Sequence, residues 1–106
     1  MPTIAIGDIH GQKIQLVDLL ASIKYPHGDL FHSKDFALNG ARFIFLGDYI
    51  DRGPDSADVV SIVRSLQQRG AICLRGNHEQ LAIDSVRSEH DMLNFICNGG
   101  DATLKS

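Results

Sequence analysis

The 106-residue chain is notable first for what it lacks. No apolar run approaches the roughly 20 residues that a membrane-spanning helix needs. Charge of one sign is not in excess: 10 Lys and Arg stand against 13 Asp and Glu, a net charge of −3. Such a balance gives no electrostatic footprint for nucleic acid or for an anionic membrane surface. Cysteine is scarce: Cys73 and Cys97 are the only two, and they form no C-x-x-C pair. They read as two buried, reduced thiols, with nothing to favour a redox role or a thiolate zinc site. The opening MPTIAIGDIHG has neither the basic start nor the long apolar core of a signal peptide, so a cytoplasmic location is the expectation.

What is present is ordinary for a globular protein, with 43% hydrophobic and 22% charged residues. The length suits one domain with a modest core. Thr3 to Ile6 is a short apolar stretch closed by Gly7 and predicts a buried strand. From Gln12 to Lys24, Ile14, Val17, Leu20 and Ile23 recur at helical spacing, with Leu16 and Leu19 widening the stripe; Pro26 and Gly28 would end that helix. Ala41 to Leu46 is continuously apolar, as in a parallel strand covered on both faces. A helix after Pro54, capped by Asp55 or Ser56, would carry Val59, Ile62, Val63 and Leu66 inward and end with Gly70 at C′. Ala71 to Leu74 predicts a third strand, and Leu81, Ile83 and Val86 a further helix near Glu79. Leu93 and Ile96 mark a last helical piece, stopped by Asn98-Gly99-Gly100 with no element after it. The order is that of an α/β fold with a βαβαβ core and parallel strands.

Each strand end carries a Gly-led polar cluster: Gly7-Asp8-Ile9-His10-Gly11, then Gly47-Asp48-Tyr49-Ile50-Asp51-Arg52-Gly53, then Arg75-Gly76-Asn77-His78-Glu79. Parallel strands bring their carboxyl ends to one edge of the sheet, where ligands of open α/β folds bind. Asp8, His10, Asp48, Asp51, Arg52, Asn77 and His78 should therefore converge. His27 and His32, in the mixed segment from Tyr25 to Gly40, have no such pattern and read as bystanders.

Carboxylates, an amide and an imidazole suit manganese, iron or zinc better than calcium. Asp8 and His10 can chelate one ion, and Asp48 can bridge to a second one partly held by Asn77. Two ions about 3.5–4 Å apart can activate water and clamp the oxygens of a displacement at phosphorus. Arg52 offers a planar fork to phosphate oxygens. His78 can protonate a leaving alkoxide, with Asp51 orienting it.

GDIHG, GDYIDRG and GNHE, in this order, resemble the motifs of the calcineurin-like metallophosphoesterases, in the branch of the serine/threonine phosphoprotein phosphatases and their bacterial relatives. The terminal NGG-x-x-TL, Asn98 to Leu104, also resembles bacterial members. The resemblance implies a metal-dependent phosphoric monoester hydrolase acting on a phosphorylated protein or a small phosphoester. Asp8, His10 and Asp48 would hold the first metal, Asp48 and Asn77 the second. Arg52 and Asn77 would bind phosphate, and His78 paired with Asp51 would be the general acid; Arg75 and Glu79 would be mainly supporting. The diadenosine tetraphosphate hydrolases are similar too, but tend to have Ala at the position of Asp51 and GNHD for GNHE. Family members are longer, and their later half supplies two further metal-binding histidines, a phosphate-binding arginine and the second sheet of an α/β/β/α sandwich. His90 comes too early to replace them. The expectation for residues 1–106 is thus the N-terminal half of such a domain, with an incomplete second metal site and uncovered apolar sheet surface that invites self-association. A non-catalytic module binding metal or phosphate is the alternative.

Overall fold

A computed structural model describes residues 3–25, 28–29 and 42–106. Strand β1 spans Thr3–Ile6 and helix α1 spans Lys13–Ser22. A minimal antiparallel pair follows, β2 at Lys24–Tyr25 and β3 at Gly28–Asp29. Strand β4 is Arg42–Phe45, helix α2 Ser56–Gln68, strand β5 Ile72–Cys73 and helix α3 Asn77–Asp84. Helix α4, Glu89–Phe95, is followed by a kinked turn at Ile96–Gly100 and by helix α5, Asp101–Lys105.

β1, β4 and β5 form one sheet in that order, and both pairings are parallel. The expected βαβαβ core is therefore the core of the molecule. Its register sets Ile6 beside Phe45 and Phe45 beside Cys73. On that face Phe43, Phe45 and Ile6 are buried with Leu16 and Leu20 of α1 and Val59, Val63 and Leu66 of α2. The other face differs from the expectation of strands covered on both sides. Ala5, Ile44 and Ile72 stand in one row there, and Leu46, Ile72 and Leu74 are 48%, 46% and 47% exposed.

Several helix details also depart from the pattern. α1 ends at Ser22, because Ile23 is already extended at φ −80 and ψ 112. Its buried positions are Leu16 and Leu20, one i,i+4 pair, while Ile14 and Leu19 are exposed. At the start of α2, Asp55 occupies the N-cap position without a side-chain cap bond, and Ser56 is buried instead. The C-terminus behaves as anticipated. The Gly70 N–H donates to the Gln67 carbonyl and the Ala71 N–H to the Leu66 carbonyl, the double closure that a left-handed C′ glycine permits. In α3 His78 is the buried residue, Ile83 and the following Val86 being exposed; in α4 Phe95 is buried and Leu93 exposed.

Asn98-Gly99-Gly100 does break the helix, since Asn98 (φ −98, ψ 16) and Gly99 (φ 102, ψ 6) leave helical backbone, but a further element follows it: helix α5. The kink is held from outside, since the Arg52 N–H donates to the Gly99 carbonyl at 3.0 Å. Cys97 is exposed in this turn and Cys73 half-buried, both as free thiols, so two fully buried cysteines are not what the fold contains. His27 and His32 lie outside the described residues. Among those described, no helix is long and apolar enough to cross a membrane.

Candidate active site at the carboxyl edge of the sheet

The three strands end side by side, so the turns that follow them meet. The His10 N–H donates to the Asp48 carbonyl at 2.9 Å, and the Gly11 N–H to the Tyr49 carbonyl at 2.8 Å. Gly47, at φ +109, lies against the backbone of Gly76, where a Cβ on either residue would collide with the other turn. Glycine is required there because two main chains approach with no room for a side chain.

Among the described residues, the non-glycine positions with positive φ are His10 at 46°, Asp48 at 55°, Asp51 at 76° and Arg52 at 72°. All four belong to the polar clusters singled out from the sequence. Left-handed backbone at such residues costs on the order of 1–3 kcal/mol each and persists only where surrounding contacts enforce it.

Asp8, His10 and Asp48 each offer a ligand atom, and these atoms all lie within 4.8 Å of one another. His10 Nε2 stands 3.6 Å from an Asp8 carboxylate oxygen. Its other ring nitrogen, Nδ1, is 2.9 Å from the Ile50 carbonyl. A carbonyl only accepts, so Nδ1 carries the proton and Nε2 presents a lone pair toward the carboxylates, the orientation that a metal-binding histidine needs. The donor set therefore fits a divalent ion.

Asp48 has a second attachment. One of its carboxylate oxygens accepts the His78 N–H at 2.9 Å, at the first turn of α3. That places an acid at the positive end of the helix and ties the second strand end to the third. Asn77 opens α3 and is exposed. His78 packs edge-on against His10, with ring centroids 4.7 Å apart.

The His78 ring is buried and its Nδ1 lies 2.8 Å from Asp51 Oδ2. Asp51 is fully buried. Its other oxygen, Oδ1, accepts the Thr103 hydroxyl at 2.5 Å, and its backbone N–H donates to Thr103 Oγ1 at 2.8 Å and faces Ser56 Oγ at 3.1 Å. Arg52, next in the chain, is exposed, with no hydrogen bond or ion pair on its guanidinium among the described residues. The Arg75 guanidinium donates to Gln80 Oε1 at 3.2 Å.

Asp8, His10, Asp48, Asp51, Arg52, Asn77 and His78 thus all sit on the turns that leave one sheet edge. Glu79 was expected to be mainly supporting. It does so directly: Oε1 accepts the N–H groups of Asp48 and Gly76, at 2.6 and 2.9 Å, and Oε2 that of Tyr49 at 2.9 Å. Ser56 and Thr103 also belong to the site, and the NGG-x-x-TL pattern has nothing local in it that says its threonine reaches a carboxylate 52 residues earlier. Beneath the turns, the Tyr49 hydroxyl donates to the Leu74 carbonyl at 2.7 Å, and burial pushes its phenol well above its ordinary range.

The profile of the family described as calcineurin-like phosphoesterase matches residues 1–102. A serine/threonine-protein phosphatase 1 from Salmonella typhimurium is 36% identical over 97 residues, covering 91% of this chain and 38% of its own length. A symmetrical bis(5'-nucleosyl)-tetraphosphatase from a Janthinobacterium strain is 40% identical over 79 residues, covering 74% of this chain and 24% of its own length. The chain thus spans well under half the length of these curated relatives.

Proposed function

This chain belongs to the calcineurin-like phosphoesterase family, and from that premise we propose that it carries the first part of a metal-dependent phosphoric monoester hydrolase of the serine/threonine protein phosphatase type. On this reading residues 1–106 are the N-terminal part of one metallophosphoesterase domain. The observation that carries the reading is the meeting of Asp8, His10 and Asp48 within 4.8 Å, with His78 packed edge-on against His10.

Asp8, His10 and Asp48 would hold a first divalent ion, and Asp48 and Asn77 would contribute to a second. A divalent ion here supplies Lewis acidity toward phosphoryl oxygens and the means to activate water; manganese is the first candidate, iron and zinc the others. Arg52, on an exposed turn and with no partner for its guanidinium among the described residues, grips phosphate oxygens through its planar fork. Asn77 donates its amide to the same group. His78, doubly protonated, gives the proton on Nε2 to the departing alkoxide and is left neutral with its proton on Nδ1, which Asp51 accepts.

Between the two named relatives, the phosphatase type is favoured by Asp51 and by GNHE, since the diadenosine tetraphosphate hydrolases tend to have Ala at the position of Asp51 and GNHD for GNHE. The test is manganese-dependent release of phosphate from a phosphoserine peptide, run beside diadenosine tetraphosphate. Weak release from the peptide at most, abolished by His78→Ala and by Asp48→Asn, is the expected result for the 106-residue chain with its incomplete second metal site. Preference for the dinucleotide would move the reading to the tetraphosphatase type. Binding of one manganese ion without turnover on either substrate would make the chain a non-catalytic metal module.

A further inference from the structure

We propose that Thr103 is a positioning residue that fixes Asp51 against His78; this rests on the functional reading above and extends it to a residue on α5. Asp51 is fully buried with a left-handed backbone at φ 76. A buried carboxylate is tolerated only if its oxygens and the adjacent N–H are satisfied. Oδ2 is used by His78 Nδ1 at 2.8 Å. That leaves Oδ1 and the Asp51 N–H, and Thr103 serves both: its hydroxyl donates to Oδ1 at 2.5 Å and accepts the N–H at 2.8 Å. One side chain thus sets both the torsion of the carboxylate and the strained backbone beneath it.

The rest of the segment reinforces the same turn. The Gly99 carbonyl accepts the Arg52 N–H at 3.0 Å, and a Cβ on Gly99 would stand 2.7 Å from Arg52 Cγ and 2.8 Å from Arg52 N. Ser106 Oγ accepts the Ala57 N–H at 3.1 Å, which ties the end of α5 to the start of α2. Two consecutive left-handed residues, Asp51 facing His78 and Arg52 beside it, are therefore held by Gly99 and Thr103 together. Ser56 Oγ, 3.2 Å from Thr103 Oγ1, is the other hydroxyl at this turn. It reaches the Asp51 N–H but has no contact with Oδ1, so it cannot replace Thr103 in orienting the carboxylate.

The assignment is tested without turnover, by NMR of the 106-residue chain with labelled histidine at one fixed pH. The wild type should show a solvent-protected His78 Nδ1–H proton. Thr103→Ser, which keeps the hydroxyl, should retain it. Thr103→Val, which keeps the shape but not the hydroxyl, should lose it or exchange it at least about tenfold faster, with the ring distributed over both tautomers. Retention of the signal in Thr103→Val at the wild-type shift and exchange rate would overturn the assignment. If Thr103→Val does not fold, Ser56→Ala decides: a retained signal supports Thr103 as the positioning group, and a lost one shows that Ser56 holds the pair. Phosphate release is read separately. A wild type that binds manganese, shows the Nδ1–H proton and yet fails to turn over would count against the functional reading and leave the Thr103 assignment standing.

Discussion

The Glu79 carboxylate receives the backbone N–H of Asp48 at 2.6 Å, although the two residues lie 31 positions apart. The same carboxylate holds Tyr49 and Gly76. Asp48 can therefore keep its own carboxylate at the metal cluster, because another acid satisfies the N–H groups that its left-handed turn exposes. Glu79→Ala should destabilise the chain by about 1–3 kcal/mol, the usual result of leaving sheltered donors unpaired. It should also weaken manganese binding by about 10–100-fold, as loss of an outer partner of a metal ligand does. Urea unfolding and calorimetric titration measure the two effects; an unchanged manganese affinity would show that the turn holds its shape without Glu79.

Removing a ligand atom should act more directly. His10→Ala and Asp8→Asn are each expected to lower manganese affinity at least about 100-fold, beyond the effect of an outer partner. Asp8 is exposed and His10 only partly buried, so the urea midpoint without metal should move little. A large loss of metal-free stability would instead make the cluster a structural feature of the turns.

The pH dependence of stability should have an alkaline limb. Burial pushes the Tyr49 phenol above its ordinary value of 10.0, and burial likewise pushes the Cys73 thiol above its ordinary 9.0. An acid kept protonated by the fold contributes stability that is fully present below its ordinary value and is lost as pH rises toward the raised one. Unfolding free energy should thus fall above about pH 9 and more steeply above about pH 10. Tyr49→Phe should flatten the steeper part while costing about 1 kcal/mol near neutrality, through the lost bond to the Leu74 carbonyl. Urea titrations across the alkaline range check this, and an identical slope in the variant would refute it.

Leu46, Ile72 and Leu74 form an uncovered apolar strip on the outer face of the sheet. Contiguous exposed apolar surface favours association. The 106-residue chain should therefore self-associate with rising concentration. Ile72→Thr combined with Leu46→Lys should shift sedimentation profiles toward monomer, with stability changed by no more than about 0.5 kcal/mol. Unaltered profiles would place the association elsewhere.

Much of this molecule was determined by sequence alone, for physical reasons that act over short range. The strand at Thr3–Ile6, the parallel α/β order, Gly70 at the end of α2 and the polar turns at three strand ends all follow from periodicity and turn chemistry among neighbouring residues. The three motifs also locate the candidate site, because parallel strands must deliver their carboxyl ends to one edge. Only the tertiary structure decided which apolar residues are inside: Leu16 rather than Ile14, Phe95 rather than Leu93. It also decided that Gly99 bends the chain toward Arg52 instead of ending it, and that Thr103 returns to Asp51 across 52 positions. A hydroxyl at one end of the chain and a buried carboxylate near its middle share no local signal. Their pairing follows from burial, which leaves the carboxylate oxygen facing Thr103 no water to accept from.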